Sequence, residues 1–276
     1  MKIVRFLTRA LIYIVLIAVA VFVAFPLLSV IGSAFKSNME ILTMPEVLFP
    51  KKPTFENFIL AWNSEVFNVP RMLFNSTWYT LSNVVIILMN SALCGYVFAR
   101  GEFRGKTLIF AVFTSLMFIS MGSITIYPSF EILSGLGLTG SLVGLLVMSC
   151  FGIPIVNMHL VRGFVNSLPK EIDEAAEIDG CGFIGRFFKI ILPMLKPIMA
   201  TLAILAFNGA WNDYLMPTMF TLSNPKQHTL IIGIMALKSS GQGATSWNLM
   251  FAGTFIALVP VLVIFAFGNK YITKGI

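Results

Sequence analysis

A cluster of carboxylates in the segment 171–179 offers the clearest chemistry in this sequence. Its five acids are Glu171, Asp173, Glu174, Glu177 and Asp179, and isoleucine and alanine residues fill the positions among them. A helix that lies on an anionic bilayer would be basic, so these acids have the wrong sign for lipid. We expect the segment to fill a basic, concave pocket of another protein, where Ala175 and Ala176 permit close approach and Glu174 can pair with an arginine.

The residues around the cluster predict a short helix. Ser167 can cap a helix that begins near Pro169, a residue tolerated in the first turn. Gly180 is a natural terminator and is expected to turn the chain at a positive φ. At this point an alternative stays open, because the pattern also fits a loop helix beside a membrane whose acids are simply solvated.

Beyond Gly180 the chain becomes basic and aromatic. Arg186 and Lys189 alternate with phenylalanine and isoleucine residues, a pattern typical of an interfacial helix whose cations reach lipid headgroups. Pro193 and Pro197 are expected to break this helix.

Three other features predict no chemistry of their own. The segment 101–107 imitates a phosphate-binding loop, but it has three residues between its glycines where the motif needs four. The three cysteines, Cys94, Cys150 and Cys181, lie far apart and lack the spacing of metal ligands. A lone histidine such as His159 is more often a hydrogen-bonding residue than a ligand. We therefore expect no catalytic residue, bound cofactor or metal site in this chain.

The composition requires a membrane. Hydrophobic residues make up 57% of the 276 residues and charged residues 11%, and the mean hydropathy of +0.88 excludes an ordinary soluble domain. Runs that are long enough and poor enough in charge to cross a bilayer predict an all-α membrane protein with six transmembrane helices. These spans are 10–35, 72–99, 107–130, 139–161, 197–222 and 249–269.

Basic residues set the orientation. Thirteen of the nineteen lysines and arginines fall in the terminal segments and in alternate loops, five of them in the long loop 162–196. The positive-inside rule places that loop and both chain termini in the cytoplasm. The loops 36–71 and 223–248 are then external.

The cytoplasmic loop resembles the EAA loop of ATP-binding-cassette (ABC) importer permeases. Glu174-Ala175-Ala176, three residues, Gly180, nine residues, Ile190, one residue and Leu192-Pro193 fill the signature at its spacing. The resemblance implies a cytoplasmic coupling helix that binds an ATPase. The coupling residues it implies are Pro169, Glu171, Glu174, Ala175, Ala176, Asp179, Gly180, Ile190, Leu192 and Pro193.

The rest of the chain is similar to one branch of these permeases, the carbohydrate importers of the MalG type. The segments Gly95–Lys106 and Trp211–Asp213 and the final helix with Ala252-Gly253 fit that branch. The resemblance implies the type I importer permease fold. It also implies a non-enzymatic subunit of an ATP-driven sugar importer, with an oligosaccharide as the expected cargo.

The implied assembly has several other members. They are a second homologous permease, two ABC ATPase subunits that bind ATP and magnesium, an extracytoplasmic sugar-binding protein and the lipid bilayer of a bacterial inner membrane; nucleic acid is not a partner. Two alternatives stay open. One is an ABC permease for a polyol, glycerol phosphate or amino acid, and the other is an ion-coupled secondary transporter.

Asp213 is the carboxylate inside a predicted span, and intramembrane ionisable residues are functional candidates. It could contact sugar hydroxyls, pair structurally or take part in ion coupling. Asn208 and Asn212 lie one helical turn apart and could line the same face, or they could bond to neighbouring helices. With Trp211, these residues form the expected substrate pathway.

Overall fold

The computed structural model describes residues 2–119, 122–239 and 246–272. Within these ranges the chain consists of helices and turns, with no β-strand. The prediction of an all-α protein is therefore confirmed.

Helices follow one another along the described chain with short connections. In order they are α1 (Lys2–Ala34), α2 (Asn38–Thr43), α3 (Glu56–Asn63), α4 (Val69–Arg100), α5 (Lys106–Leu116), α6 (Ile126–Gly135), α7 (Leu142–Phe151), α8 (Ile155–Ser167), α9 (Glu171–Ile178), α10 (Phe183–Arg186), α11 (Leu192–Met194), α12 (Lys196–Trp211), α13 (Leu215–Thr221), α14 (Leu230–Ser239) and α15 (Trp247–Ile272). A π-helix, Phe187–Ile191, joins α10 to α11.

Three of these helices, α1, α4 and α15, are individually long and apolar enough to cross a bilayer. Two bent pairs reach the same criterion together. They are α7 with α8, bent by 43°, and the helical segment 183–194 with α12, bent by 78°. The described residues thus hold three to five candidate crossings by length and composition, and the count of six spans stays a prediction.

The continuous helix expected over 107–130 is interrupted. The N–H groups of residues 117–119 bond to carbonyl oxygens three residues earlier, so the last turn tightens and α5 ends at Leu116. Gly122 then adopts a φ of 50°, in the left-handed region, before α6 begins.

The helix expected over 139–161 is also divided, at residues 152–154, and α8 then continues to Ser167. Pro154 has no N–H to donate and disfavours the helical conformation of the residue before it. Asn90 of α4 donates hydrogen bonds to the carbonyl groups that lose their helical partners at the break. Its Nδ2 lies 2.9 to 3.1 Å from three carbonyl oxygens, those of Ser149, Cys150 and Gly152.

The third division falls within the span expected over 197–222, between α12 and α13. Asp213 lies in the break, and its Oδ1 accepts a hydrogen bond from the N–H of Met216 at 3.2 Å. Aspartate favours such local bonds over continued helix, because its carboxylate satisfies an N–H group that a helix start leaves open.

The described residues of the ranges 2–71 and 230–260 form one compact unit. Asn57, which is 3% exposed, holds it together. Its Nδ2 donates to the carbonyl oxygens of Ala34 and Lys36 at 2.9 and 2.8 Å, and its Oδ1 accepts from Asn248 at 2.9 Å. The buried Lys36 donates from Nζ to the carbonyl of Val47. The end of α1 is thereby fixed to α3 and α15.

The described residues of the ranges 72–229 and 261–272 form the other unit, in which α4 packs closely against α8. A Cβ atom on Gly95 would lie 2.6 Å from Cγ1 of Val161, so this approach of the two helices requires glycine. The core beside it comprises Ala92, Tyr96, Val161, Val165, Phe187, Ile191, Leu195 and Leu202. This core positions the segment that carries the carboxylate cluster.

The α5 helix is tied to α8 by polar contacts. Nε2 of His159 lies 3.2 Å from Oγ1 of Thr114, and Arg162 stacks over the ring of Phe110 at 3.9 Å from the ring centre. His159 thus hydrogen-bonds, as expected.

Candidate functional site

The helix α9 has one face packed against the protein and one face exposed. Asp173 and Ala176 are 9% and 5% exposed and form the inner face. Residues at i, i+3, i+4 and i+7 form the opposite stripe, which we call the outer face. It consists of Glu171, Glu174, Ala175 and Ile178, with the exposed Pro169 and Asp179 beside its ends.

An ion pair fixes the inner face to α4. Nε of Arg100 donates to Oδ2 of Asp173 at 2.8 Å, and the two side chains are only 9% and 11% exposed. Nη2 of Arg100 also donates to the carbonyl oxygen of Leu168 at 2.7 Å. Because both buried charges are paired and hydrogen-bonded, α9 is held firmly at the carboxyl end of α4.

Arg186 also binds α9, so the expectation that it reaches lipid headgroups is wrong. Its Nη1 donates to the carbonyl oxygen of Asp173 at 3.2 Å and to Oε2 of Glu177 at 3.0 Å. The guanidinium group turns inward because these acceptors lie within its reach. Tyr96 of α4 stacks on Phe183 with ring centres 4.6 Å apart, which fixes the next helix as well.

Gly180 turns the chain between α9 and α10 with a φ of 76°. The expected positive φ is confirmed. The expected cap is wrong, since α9 begins at Glu171, close to Pro169, and no side chain caps it. Ser167 is the last residue of α8, and its hydroxyl donates to the carbonyl oxygen of Phe164 at 2.7 Å instead.

The remaining signature residues lie on the segment that leads to α12. Ile190 and Leu192 are half-buried and Pro193 is exposed. The expectation that Pro193 breaks the helix is wrong. The preceding turn widens instead, and the N–H of Leu192 donates to the carbonyl oxygen of Phe187, five residues back. The sharp bend follows at Leu195.

The four residues of the expected substrate pathway lie on three faces of the chain. Nδ2 of Asn212 donates to Oδ1 of Asn208 at 2.7 Å, and both residues are exposed. Trp211 is buried and stacks on Phe207 with ring centres 5.4 Å apart. Asp213 continues a third stripe, which consists of Ala206, Gly209, Ala210 and Asp213 at i, i+3, i+4 and i+7.

That third stripe lines a cavity of about 340 Å³ between α4, α7 and α12. Four of its lining residues have polar side chains, namely Tyr79, Asn83, Ser149 and Asp213. Of the expected pathway residues, Asp213 alone belongs to this cavity. The volume is in the range of about 300 to 1,000 Å³ that is usual for small-molecule sites.

Comparison with known proteins gives these features a context. The family described as binding-protein-dependent transport system inner membrane component matches residues 1–276. The chain belongs to this family. It is accordingly a multi-pass membrane component of a transport system and not an enzyme.

Two relatives of this inner membrane component are named for sugar transport. The diacetylchitobiose uptake system permease protein NgcG of Streptomyces coelicolor is 34% identical over 262 residues, which cover 95% of this chain and 85% of the relative. The galactooligosaccharides transport system permease protein GanQ of Bacillus subtilis is 30% identical over 282 residues, covering 100% of this chain and 96% of the relative. The resemblance to carbohydrate permeases is confirmed.

A solved structure has the same fold as this inner membrane component. It is a chain of a bacterial ABC transporter involved in the import of the acidic polysaccharide alginate. The TM-score is 0.83 at 19% identity, and the match covers 96% of each chain. The importer permease fold is therefore confirmed.

Sequence reasoning missed the residues of this inner membrane component that position the site. Asp173 was one acid among five, and no local pattern distinguishes it from Glu174. Arg100 lies 73 residues away from Asp173, so only the fold brings the two together. Tyr79 and Asn83 could have been found, because they lie one turn apart on one side of α4.

Proposed function

We propose that this permease is the membrane-spanning subunit of an ATP-driven oligosaccharide importer and forms half of its translocation pathway. The names of NgcG and GanQ support a sugar as the cargo. The alternative of an ion-coupled secondary transporter has less support. The matching family is described as binding-protein-dependent, which supports delivery of the cargo by a separate binding protein.

The outer face of α9 is the proposed contact with the ATPase. The observation that carries this proposal is the division of acids between the two faces. Asp173 is paired with Arg100, whereas the carboxylate of Glu174 is exposed and accepts no hydrogen bond from the residues that the structure describes. A basic cleft on the ATPase would complement Glu174 and Glu171, and Ile178, 87% exposed, adds an apolar anchor.

Ala175 would permit close approach to that cleft, while the buried Ala176 packs the inner face. Gly180 sets the direction in which α9 leaves the segment. The residues proposed to support this coupling are Pro169, Glu171, Glu174, Ala175, Ala176, Asp179, Gly180, Ile190, Leu192 and Pro193.

Motion of the ATPase would reach the membrane through the contacts of α9. Closure of the ATPase cleft displaces α9, and Arg100 and Tyr96 pass that displacement directly to α4. The motion would reach α4 first, because Arg100 binds the inner face of α9 and Tyr96 binds the start of α10. The transmitted motion is a rigid-body shift, since a short helix in a pocket moves only what it is bonded to.

The complete importer would contain a second homologous permease, two ABC ATPase subunits and an extracytoplasmic sugar-binding protein. ATP and magnesium would bind the ATPases, with both termini of this permease in the cytoplasm. Asp213 is the proposed contribution of this chain to the sugar pathway.

Reconstitution tests this function. The permease is co-expressed with the second permease, the ATPase and the binding protein of its source organism, purified through a tag on this chain and placed in liposomes. We expect an ABC ATPase to co-purify, and uptake of a neutral oligosaccharide to require ATP and the binding protein. Uptake by the permease alone, abolished by an ionophore, would establish the secondary transporter instead.

A further inference from the structure

We propose that the cavity beside Asp213 is a transient binding site for one ring of the transported saccharide. This inference rests on the proposed function and assigns the sugar contact of this chain to α4, α7 and α12. The residues proposed to contact hydroxyl groups of the saccharide are Asp213, Asn83 and Tyr79. Asn83 and Tyr79 lie outside the segments by which the chain resembles its family.

The polar side chains of the cavity have unused bonding capacity. Asn83 is 7% exposed, and its Oδ1 is buried without a hydrogen-bond partner. Its Nδ2 is 3.4 Å from the hydroxyl oxygen of Tyr79, which is a long contact. A buried amide oxygen without a partner carries a free-energy penalty, and a ligand hydroxyl can remove it by donating a hydrogen bond.

Asp213 supplies the strongest acceptor of the cavity. Its Oδ1 accepts the N–H of Met216, which fixes the orientation of the carboxylate at the break between α12 and α13. The carboxylate at the break after α12 and the amide and phenol groups of α4 converge on the cavity, as hydrogen-bonded recognition of several hydroxyl groups requires.

The rest of the lining suits the apolar face of a sugar ring. Gly209 and Ala210 on α12 leave room, because an added Cβ on Gly209 would meet no atom within 4 Å. Leu145 and Met148 of α7 provide the opposite apolar wall. A neutral hydroxylated ligand fits this combination, whereas a metal ion would need more anionic ligands than Asp213.

The cavity continues toward the break between α7 and α8. A second cavity of about 250 Å³ shares Ile87 and Ala206 with the first and is also lined by Pro154 and Asn157. Irregular backbone at membrane depth is tolerated where it is buried in protein or lines a cavity. The two cavities therefore give neighbouring positions for a saccharide that moves along α12.

Cysteine protection tests this site directly. Gly209→Cys is placed in a complex whose Cys94, Cys150 and Cys181 are replaced, and a small thiol reagent is applied. The saccharide is the one whose uptake the wild-type complex supports. We expect it to slow labelling of Gly209→Cys by roughly tenfold during turnover, and to leave Gly163→Cys unchanged. Gly163 is a matched control, because it is also helical, with open space around an added Cβ.

Uptake by two further variants completes the test. Asn83→Leu and Asp213→Asn are expected to lower the uptake rate by roughly tenfold each. ATP hydrolysis stimulated by the binding protein is expected to persist, because the α9 contacts are intact. Unchanged uptake together with unprotected Gly209→Cys would overturn the site while leaving the importer proposal in place. Absence of saccharide uptake by the wild-type complex would overturn the proposed function itself.

Discussion

The ion pair between Arg100 and Asp173 makes α9 an extension of α4. Both side chains are nearly inaccessible to water, so neither charge can be lost without stranding the other. The pair also separates two acids that are adjacent in sequence. Asp173 holds the helix in place, and Glu174 is left for a partner.

Removing Arg100 tests that division. Arg100→Leu leaves the Asp173 carboxylate buried without its cation, which costs about 3 to 5 kcal/mol. We expect a lower thermal unfolding midpoint of the purified complex and faster proteolysis of the segment 168–182. The double variant with Asp173→Leu should recover part of both losses. Equal midpoints for wild type and Arg100→Leu would show that the pair contributes nothing.

Gly180 gives a second test at the residue scale. Its φ of 76° disfavours any residue with a Cβ, although no neighbouring atom lies within 4 Å, so the strain is torsional and costs about 1 to 2 kcal/mol. We expect Gly180→Ala to reduce the uptake rate and Gly180→Asn to reduce it less, because asparagine tolerates this conformation.

Gly182 provides the matched control for that comparison. It has a φ of −67° and equally open surroundings, so Gly182→Ala should transport at the wild-type rate. Similar losses in both alanine variants would attribute the effect to the segment as a whole rather than to the turn at Gly180.

The local sequence pattern predicted a short acidic helix, the turn at its end and the positive φ of Gly180. It did not predict which acid is buried, because that depends on a distant arginine. Ser167 shows the same limit. A serine before a helix is a good cap in isolation, but here the preceding helix extends far enough to include it.

Broken helices are the main feature at the element scale. Hydropathy located the apolar segments but predicted continuous helices through 107–130, 139–161 and 197–222. It averages over the residues that interrupt a helix, so Pro154 and Asp213 did not divide the predicted spans. The break between α7 and α8 is explained together with the residue that bonds its open carbonyl groups, Asn90 on α4.

Asn90 is expected to stabilise the α7–α8 break. Asn90→Leu removes the donor for three carbonyl oxygens at that break, and a hydrogen bond of this kind contributes about 0.5 to 1.5 kcal/mol. We expect the thermal unfolding midpoint of the complex in detergent to fall. Thr77→Val, on the exposed side of the same helix, should leave it unchanged. An unchanged midpoint for Asn90→Leu would mean that the break is stable without its donor.

At the scale of the whole molecule, the orientation in the bilayer determines what each surface meets. The proposed function requires α9 in the cytoplasm and the segment 36–71 outside. The uneven distribution of basic residues between the loops predicts this arrangement. The fold of the chain is the same whichever side of the bilayer faces the cytoplasm.

Labelling from one side tests the orientation. In a cysteine-free background, Met39→Cys should react with an impermeant thiol reagent added outside intact cells, because Met39 is 70% exposed. Arg104→Cys, in the exposed turn before α5, should react only after the membrane is opened. The reverse result would place α9 outside and exclude contact with an ATPase.

The contact between α9 and an ATPase is tested most directly by comparing two isosteric variants of the same helix. Glu174→Gln neutralises an exposed acid on the outer face, and Glu177→Gln neutralises an acid that is 70% exposed and paired with Arg186. The measurement is ATP-driven saccharide uptake by the reconstituted importer, with membrane insertion and pairing with the second permease confirmed for each variant.

Loss of one partner of a desolvated charge pair lowers affinity by about tenfold or more, whereas a surface pair contributes little. We predict that Glu174→Gln reduces uptake by at least about tenfold and that Glu177→Gln stays within about twofold of wild type. Wild-type uptake by Glu174→Gln, and also by Glu174→Lys, would contradict the assignment of α9 as the coupling helix.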